Sequence, residues 1–303
     1  MKSKFLISIV GETAIGKTSL SIKLAKHFKT EILSSDSRQF YKEMNIGTAV
    51  PSFEELKQAK HHFIQNRSIF KNYNVGDFER DSIQKLEEVF KQKSVAILVG
   101  GSGLYTDAVL KGLDDFPEVD PAIREQLKLQ FQEEGIEILQ KKLEKLDPIS
   151  FQKIDTDNKQ RLIRALEICI GTGKTYASFL QNKTNKRSFT PIQIGITAQR
   201  EIIYNRINQR VDIMMENGLL KEAESLYTNK HLNALQTVGY RELFRHFDGD
   251  ITLDFAVAEI KKNTRRFAKR QGTWFRKNKE IKWFDYQEKS ENIIEYIEKN
   301  LHV

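Results

Sequence analysis

The octapeptide Gly11-Glu12-Thr13-Ala14-Ile15-Gly16-Lys17-Thr18 fits G-x-x-x-x-G-K-[ST], and it sits between an apolar run, Phe5 to Val10, and a helical pattern, Thr18 to Phe28. A buried strand, a glycine loop and a helix in that order form a phosphate-binding loop, and they commit the chain to an α/β architecture. Gly11 and Gly16 allow the turn. Successive backbone N–H groups and the helix N-terminus face phosphate oxygens, Lys17 adds a point charge, and Thr18 can ligate Mg2+. At average composition, roughly 1% of chains of this length would match the four fixed positions by chance.

Further apolar runs end in turn signals: Glu31 to Ser34, Val95 to Val99, Ile192 to Thr197 and Ile281 to Phe284. Several are continuous rather than alternating, as in strands covered on both faces of a mostly parallel sheet. Helical patterns at Thr18 to Phe28, Ser82 to Lys91 and Arg200 to Asn217 lie between them. The expected fold is a P-loop NTPase-like α/β domain, a mostly parallel sheet flanked by helices. From about Asp115 to Pro191 the strand signals stop. Asp120 and Pro121 open a helix that should end at Gly135, and amphipathic stretches follow at Ile136 to Leu146 and Asn158 to Ile170. Because a core strand returns at Ile192, residues 115–190 read as an inserted all-helical domain. Residues 1–114 and 191–303 then form the core, with the polar run Gln181 to Ser188 as exit linker.

The longest apolar runs fall far short of the roughly 20 residues that span a bilayer. Phe5 to Val10 runs into Gly11-Glu12 rather than a small-residue cleavage site, so no signal peptide is expected. A single cysteine, Cys169, suits a reducing, cytoplasmic setting. The net charge of +8 is local: Val257 to Trp283 holds ten Lys/Arg and two Asp/Glu, and the other 276 residues balance at 39 against 39. A basic patch points to a polyanion such as nucleic acid, or else to a solvated face with no partner. Within it Lys261, Arg265 and Lys269 recur every four residues beside Lys262, Arg266 and Arg270. Ile260, Phe267 and Trp274 fall on another face and are expected to pack on the core.

A P-loop does not name a substrate. Many P-loop proteins place an acid for Mg2+ at the end of a neighbouring strand, but Val95 to Val99 ends in Gly100-Gly101-Ser102-Gly103-Leu104-Tyr105, without a carboxylate. Motor-type ATP hydrolysis is therefore disfavoured. The acid that does occur is Asp36, in Ser34-Ser35-Asp36-Ser37-Arg38-Gln39 after the second strand. Ligands of open parallel sheets bind beyond the strands' carboxyl ends, so Asp36, Ser102 and the P-loop should share a cleft. A turn or helix-capping role for Asp36 competes with this reading.

Together these residues resemble the tRNA dimethylallyltransferases, which modify adenosine 37 beside the anticodon. The resemblance spans essentially the whole chain: the P-loop, Asp36 to Gln39 with Asn45 to Ala49, Gly100 to Tyr105, Gln160 to Glu167, Val238 to Arg241 and Lys269 to Arg276. It implies transfer of a five-carbon group from dimethylallyl diphosphate to the adenosine N6, with release of diphosphate. The absent hydrolytic acid then makes sense, because the P-loop would hold a leaving group and water is not the nucleophile. The resemblance assigns diphosphate stabilisation to Lys17, Thr13, the loop N–H groups and a Mg2+ on Thr18, and general-base work to Asp36. It gives Arg210 a further diphosphate contact, although Arg206 and Arg210 lie one turn apart and could instead form a solvated face.

Enzymes acting on a stacked base extrude it. The resemblance places Asp36, Ser37, Arg38 and Gln39 along the receiving channel and Ser102 at its wall. It makes Arg124, the run Gln160-Arg161-Leu162-Ile163-Arg164, and Lys269 and Arg270 contacts to the anticodon stem-loop. Leu162, Leu166 and Cys169 also mark a core-facing stripe. Glu12 departs from the proline usual in the family, Ile15 from a small residue and Ser102 from threonine. A monomer needing no protein partner is expected. Two rivals stand: a P-loop small-molecule kinase with Asp36 as base, and a nucleotide-gated RNA-binding protein without catalysis.

Overall fold

The structure, a computed structural model, describes residues 3–180 and 186–301. Six strands form one parallel sheet: β1 Phe5–Gly11, β2 Ile32–Ser34, β3 His61–His62, β4 Val95–Val99, β5 Thr190–Thr197 and β6 Lys282–Asp285, in the order β3-β2-β4-β1-β5-β6. The five expected strands are present. The sixth, β3, is two polar histidines at an edge, too short and too hydrophilic to show a pattern.

The helices are α1 Lys17–Phe28, α2 Phe53–Leu56, α3 Val75–Val89, α4 Gly103–Lys111, α5 Pro121–Glu134, α6 Ile136–Leu146, α7 Pro148–Lys153, α8 Lys159–Thr172, α9 Arg200–Glu216, α10 Leu219–Leu226, α11 Tyr240–Phe247, α12 Leu253–Phe275 and α13 Ser290–Leu301. Strand periodicity sends Phe5, Ile7 and Ile9 to one face, against Leu24, Ile207 and Ile297 of α1, α9 and α13. Leu6, Leu33, Ala96 and Leu98 enter the opposite core with Phe78 and Leu86 of α3 and Val109 of α4. Burial on both faces explains the unbroken apolar runs. A third cluster joins α9 to α12 through Val211, Leu219, Tyr240, Leu243 and Ile260, and Tyr41 and Met44 from beyond β2 rest on it.

α3 begins earlier than its sequence pattern, because Asn74 caps Gly76 and Asp77 while Asp77 reaches back to the Asn74 N–H. None of the described helices is long and apolar enough to cross a membrane.

Contacts divide the chain into residues 1–111 with 186–303, and residues 112–185. The sequence boundary near 190 is therefore moved back. Thr190 already pairs with Phe5, and Arg187 donates to Glu79 at 2.5 Å and to the Ala108 carbonyl at 2.6 Å, so this stretch belongs to the sheet unit. Most of the expected linker, 181–185, lies outside the described residues. The helical unit has its own core of Leu127, Leu139, Leu143, Leu162, Leu166 and Cys169. In it α5 runs from the Asp120 cap to Gly135, as its sequence predicts. α7 was not read from sequence. Its N-cap, the fully buried Asp147, accepts from the Ser150 and Ala177 N–H groups, and these bonds hold its carboxyl below the usual range against the opposing effect of burial.

Candidate active site

β1 ends inside the sheet at Gly11, where a Cβ would lie 2.3 Å from the Ile196 carbonyl oxygen. The chain turns back through Ala14, at φ 63, and Gly16, at φ 108, before α1. Left-handed backbone at Ala14 costs about 1 kcal/mol, and Arg206 holds it by donating Nε to the Ala14 carbonyl at 2.7 Å. Lys17 folds over the loop, its Nζ 3.0 Å from the Gly11 carbonyl and 2.7 Å from that of Glu12. Ile15 packs into the core.

Glu12 does not face the phosphate site. It is 3% exposed and accepts from Arg276 at 2.9 Å, an ion pair that ties the end of α12 to the P-loop. Its part in the loop is therefore confined to its backbone, while its side chain serves α12.

Asp36 follows β2 and closes a small turn, its Oδ1 accepting from the Arg38 N–H at 3.1 Å. The turn role that competed for Asp36 is thus real. Ser102, after β4, accepts from the Ser37 N–H and bonds its hydroxyl, each at 3.1 Å. Arg38 is held by the Asn233 and Ala234 carbonyls, and Gln39 by those of Thr48 and Ala49.

Two organisers were not foreseen. Gln271 of α12, buried, accepts from the Thr13 N–H and donates to the Gly101 carbonyl, both at 2.9 Å, so one amide pins the P-loop to the β4 loop. A Cβ on Gly101 would lie 2.2 Å from that amide nitrogen. Glu222 accepts from the Asn45, Ile46 and Gly47 N–H groups at 2.8–3.1 Å and from the Tyr240 hydroxyl at 2.7 Å. Gln271 lay inside a motif already singled out. Glu222 had no signal, because one acid on an amphipathic helix looks like any solvated residue.

These loops bound two adjoining cavities of about 450 and 480 Å3. The first is lined by P-loop residues Thr13 to Ser19 with Arg206 and Arg210; the second by Ser37, Arg38, Ser102, Arg241, Phe267 and Arg270 among others. Thr13, Asp36, Thr48 and Arg210 line both. Arg210 also reaches the Thr13 hydroxyl at 3.4 Å. Burial lowers the Lys17 pKa to about 8, opposed by Asp36 and reinforced by the Arg210 charge. Burial likewise pulls Arg210 below the ordinary range of arginine, with Asp36 again opposing. Desolvated cations converge here beside a helix N-terminus, an arrangement that an anion relieves.

A family model described as IPP transferase matches residues 39–278. The chain is 63% identical to the tRNA dimethylallyltransferase of Flavobacterium johnsoniae, over 98% of both chains, and 61% identical to that of Christiangramia forsetii, over 99% of both. The chain belongs to the IPP transferase family. The structure of a tRNA isopentenylpyrophosphate transferase from Bacillus halodurans superposes with a TM-score of 0.72 at 37% identity, covering 99% of this chain and 97% of that one. A eukaryotic dimethylallyltransferase acting on tRNA gives 0.80 at 25% identity, covering 94% and 74%.

Several residues expected to contact tRNA are committed elsewhere in the fold, Leu162 on the core-facing stripe that its spacing marked. Leu162 and Ile163 are buried in the helical unit's core, so their side chains cannot touch RNA. Arg124 pairs with buried Glu167 at 2.9 Å and reaches Gln160 at 3.4 Å, while Arg164 takes the other Glu167 oxygen at 3.3 Å. Arg161 stays exposed.

On α12 the double basic stripe divides. Lys261 pairs with Asp212 at 2.5 Å and Arg265 with Asn208 at 2.6 Å, both on α9, whereas Lys269 and Arg270 are exposed. Ile260 is buried as expected, but Phe267 and Trp274 are 39% and 38% exposed and line the second cavity. Spaced by sevens, Ile260, Phe267 and Trp274 lie close to one face of α12, and all three line the second cavity.

Thr18 lines the first cavity, and the described residues hold no cluster of three or more His, Cys, Asp or Glu able to bind a metal. That donor set fits a Mg2+ shared between one hydroxyl, water and ligand phosphates, which is the ion's usual mode at phosphate sites.

Proposed function

We propose that this protein transfers a dimethylallyl group from dimethylallyl diphosphate to tRNA, at N6 of adenosine 37, releasing diphosphate. The observation that carries the reading is the pair of adjoining cavities with Asp36, Thr13 and Arg210 between them. One side offers a cationic P-loop for a diphosphate, and the other a wider, less polar channel for an extruded base. Family membership sets aside the kinase and the non-catalytic RNA-binding reading.

In the reaction the N6 lone pair attacks C1 of the allyl group, the C1–O bond breaks toward diphosphate, and an N6 proton passes to Asp36. An exocyclic amine conjugated to its ring needs such a base. Lys17, Arg210 and the free loop N–H groups neutralise charge growing on the leaving diphosphate. Thr18 would hold a Mg2+, which would supply further neutralisation of the diphosphate charge. Ser37, Arg38, Gln39 and Ser102 shape the channel. Lys269 and Arg270 meet the backbone of the anticodon stem-loop, and exposed Arg161 offers a contact from the helical unit. The reading includes a monomer working in the cytoplasm.

The test is to incubate the protein with Mg2+, labelled dimethylallyl diphosphate and unmodified tRNA bearing adenosine 37. Label should enter the RNA at that nucleotide, and a tRNA with guanosine there should remain unlabelled. Folded protein that leaves both RNAs unlabelled would refute the reading.

A further inference from the structure

Phe267 and Trp274 are aromatic, accessible and open onto the cavity that holds Asp36, where a core-facing role was expected. Leu104, which also lines this cavity, is exposed as well. The Trp274 ring is fixed: its Nε1 donates to Asp107 at 2.9 Å, and the Gly103 backbone lies so close that a Cβ there would be 2.3 Å from the indole. Arg270 lies 5.7 Å from the Phe267 ring centroid. Neither Lys269, Arg270 nor Arg241 pairs with an acid among the described residues. Phe267, Arg270 and Trp274 thus form a strip about 10 Å long at a rise of about 1.5 Å per residue. That is about three base thicknesses at roughly 3.4 Å each.

Held aromatic rings interleaved with unpaired cations are what a splayed single strand requires: π-faces for bases and charge for the backbone. Once an adenosine is turned out of a loop, the bases on either side lose a stacking partner. We propose that Trp274, supported by Phe267 and Arg270, is a stacking platform for a base adjacent to the target adenosine. The platform thereby holds the loop open at the channel mouth. The inference rests on the proposed transfer to tRNA, and it assigns a specificity-determining role to the C-terminal turns of α12.

The experiment is a cycle between protein and RNA. Wild type, Trp274→Ala and Trp274→Phe are each assayed for kcat/KM on an anticodon stem-loop, and on two versions abasic at the nucleotide before or after adenosine 37. Trp274→Ala should lower kcat/KM on the intact loop by about ten- to a hundredfold, with Trp274→Phe retaining most activity and the KM for dimethylallyl diphosphate unchanged in both. On at least one abasic loop the penalty should shrink to under about threefold, because the base that Trp274 stacks is already gone. An equal penalty on all three RNAs would make Trp274 merely structural and overturn the proposal, as would no penalty on the intact loop. Failure of the wild type to modify the intact loop would overturn the transferase reading and this inference with it.

Discussion

Lys17 is cationic in the free protein below about pH 8 and neutral above it, because burial depresses its pKa. A diphosphate binds the cationic form. Affinity for inorganic pyrophosphate, measured calorimetrically, should therefore weaken as pH rises through 8, and Lys17→Met should remove that step. In the proposed transfer, Asp36 is the base. Asp36→Ala should slow single-turnover transfer by about 10²- to 10⁴-fold, the range for general-base catalysis, with tRNA affinity within threefold. A large affinity loss at unchanged rate would make Asp36 a positioning residue. Gln271 acts through others, since it touches both the P-loop and the β4 loop. Gln271→Ala should raise the KM for the donor and lower kcat, and Gln271→Glu should do worse, because a carboxylate there accepts from Thr13 but cannot donate to Gly101.

At the scale of elements, α12 carries three tasks on three faces: Ile260 and Ala268 in the core, Gln271 and Arg276 on the P-loop, and Lys269 and Arg270 toward solvent. Removing Lys269 and Arg270 by alanine should reduce the salt dependence of tRNA binding by about 0.7–0.9 per cation. Lys261→Ala should leave that slope unchanged, since Lys261 is spent on Asp212. The sheet was legible because burial on both faces writes continuous apolar runs, and α5 because Asp120, Pro121 and Gly135 mark both its ends. The P-loop and the Asp36 turn were legible because their chemistry is local. The faces of α12 were not. Phe267 and Trp274 look like core residues by type, and only the neighbours that folding brings, Gly103 and Asp107, show that Trp274 is anchored at a cavity wall. The Glu12 ion pair was hidden for the same reason, as its partner lies 264 residues away.

At the scale of the whole molecule, the chain divides into two units. All residues named for the donor lie in 1–111 and 186–303. Leu166→Ala, in the core of the helical unit, should cost about 2–5 kcal/mol of that unit's stability, read by thermal unfolding. It should also weaken tRNA binding while leaving pyrophosphate affinity within twofold. The strand order has a consequence for synthesis. β1 is central and pairs with β5, whose last residue is Thr197. β1 must therefore wait for this partner, which arrives roughly 10–40 s later at 5–20 residues per second. The helices from α5 to α8 are complete before that partner exists. On the ribosome, the inserted segment has all of its own core in hand before the sheet can close around β1.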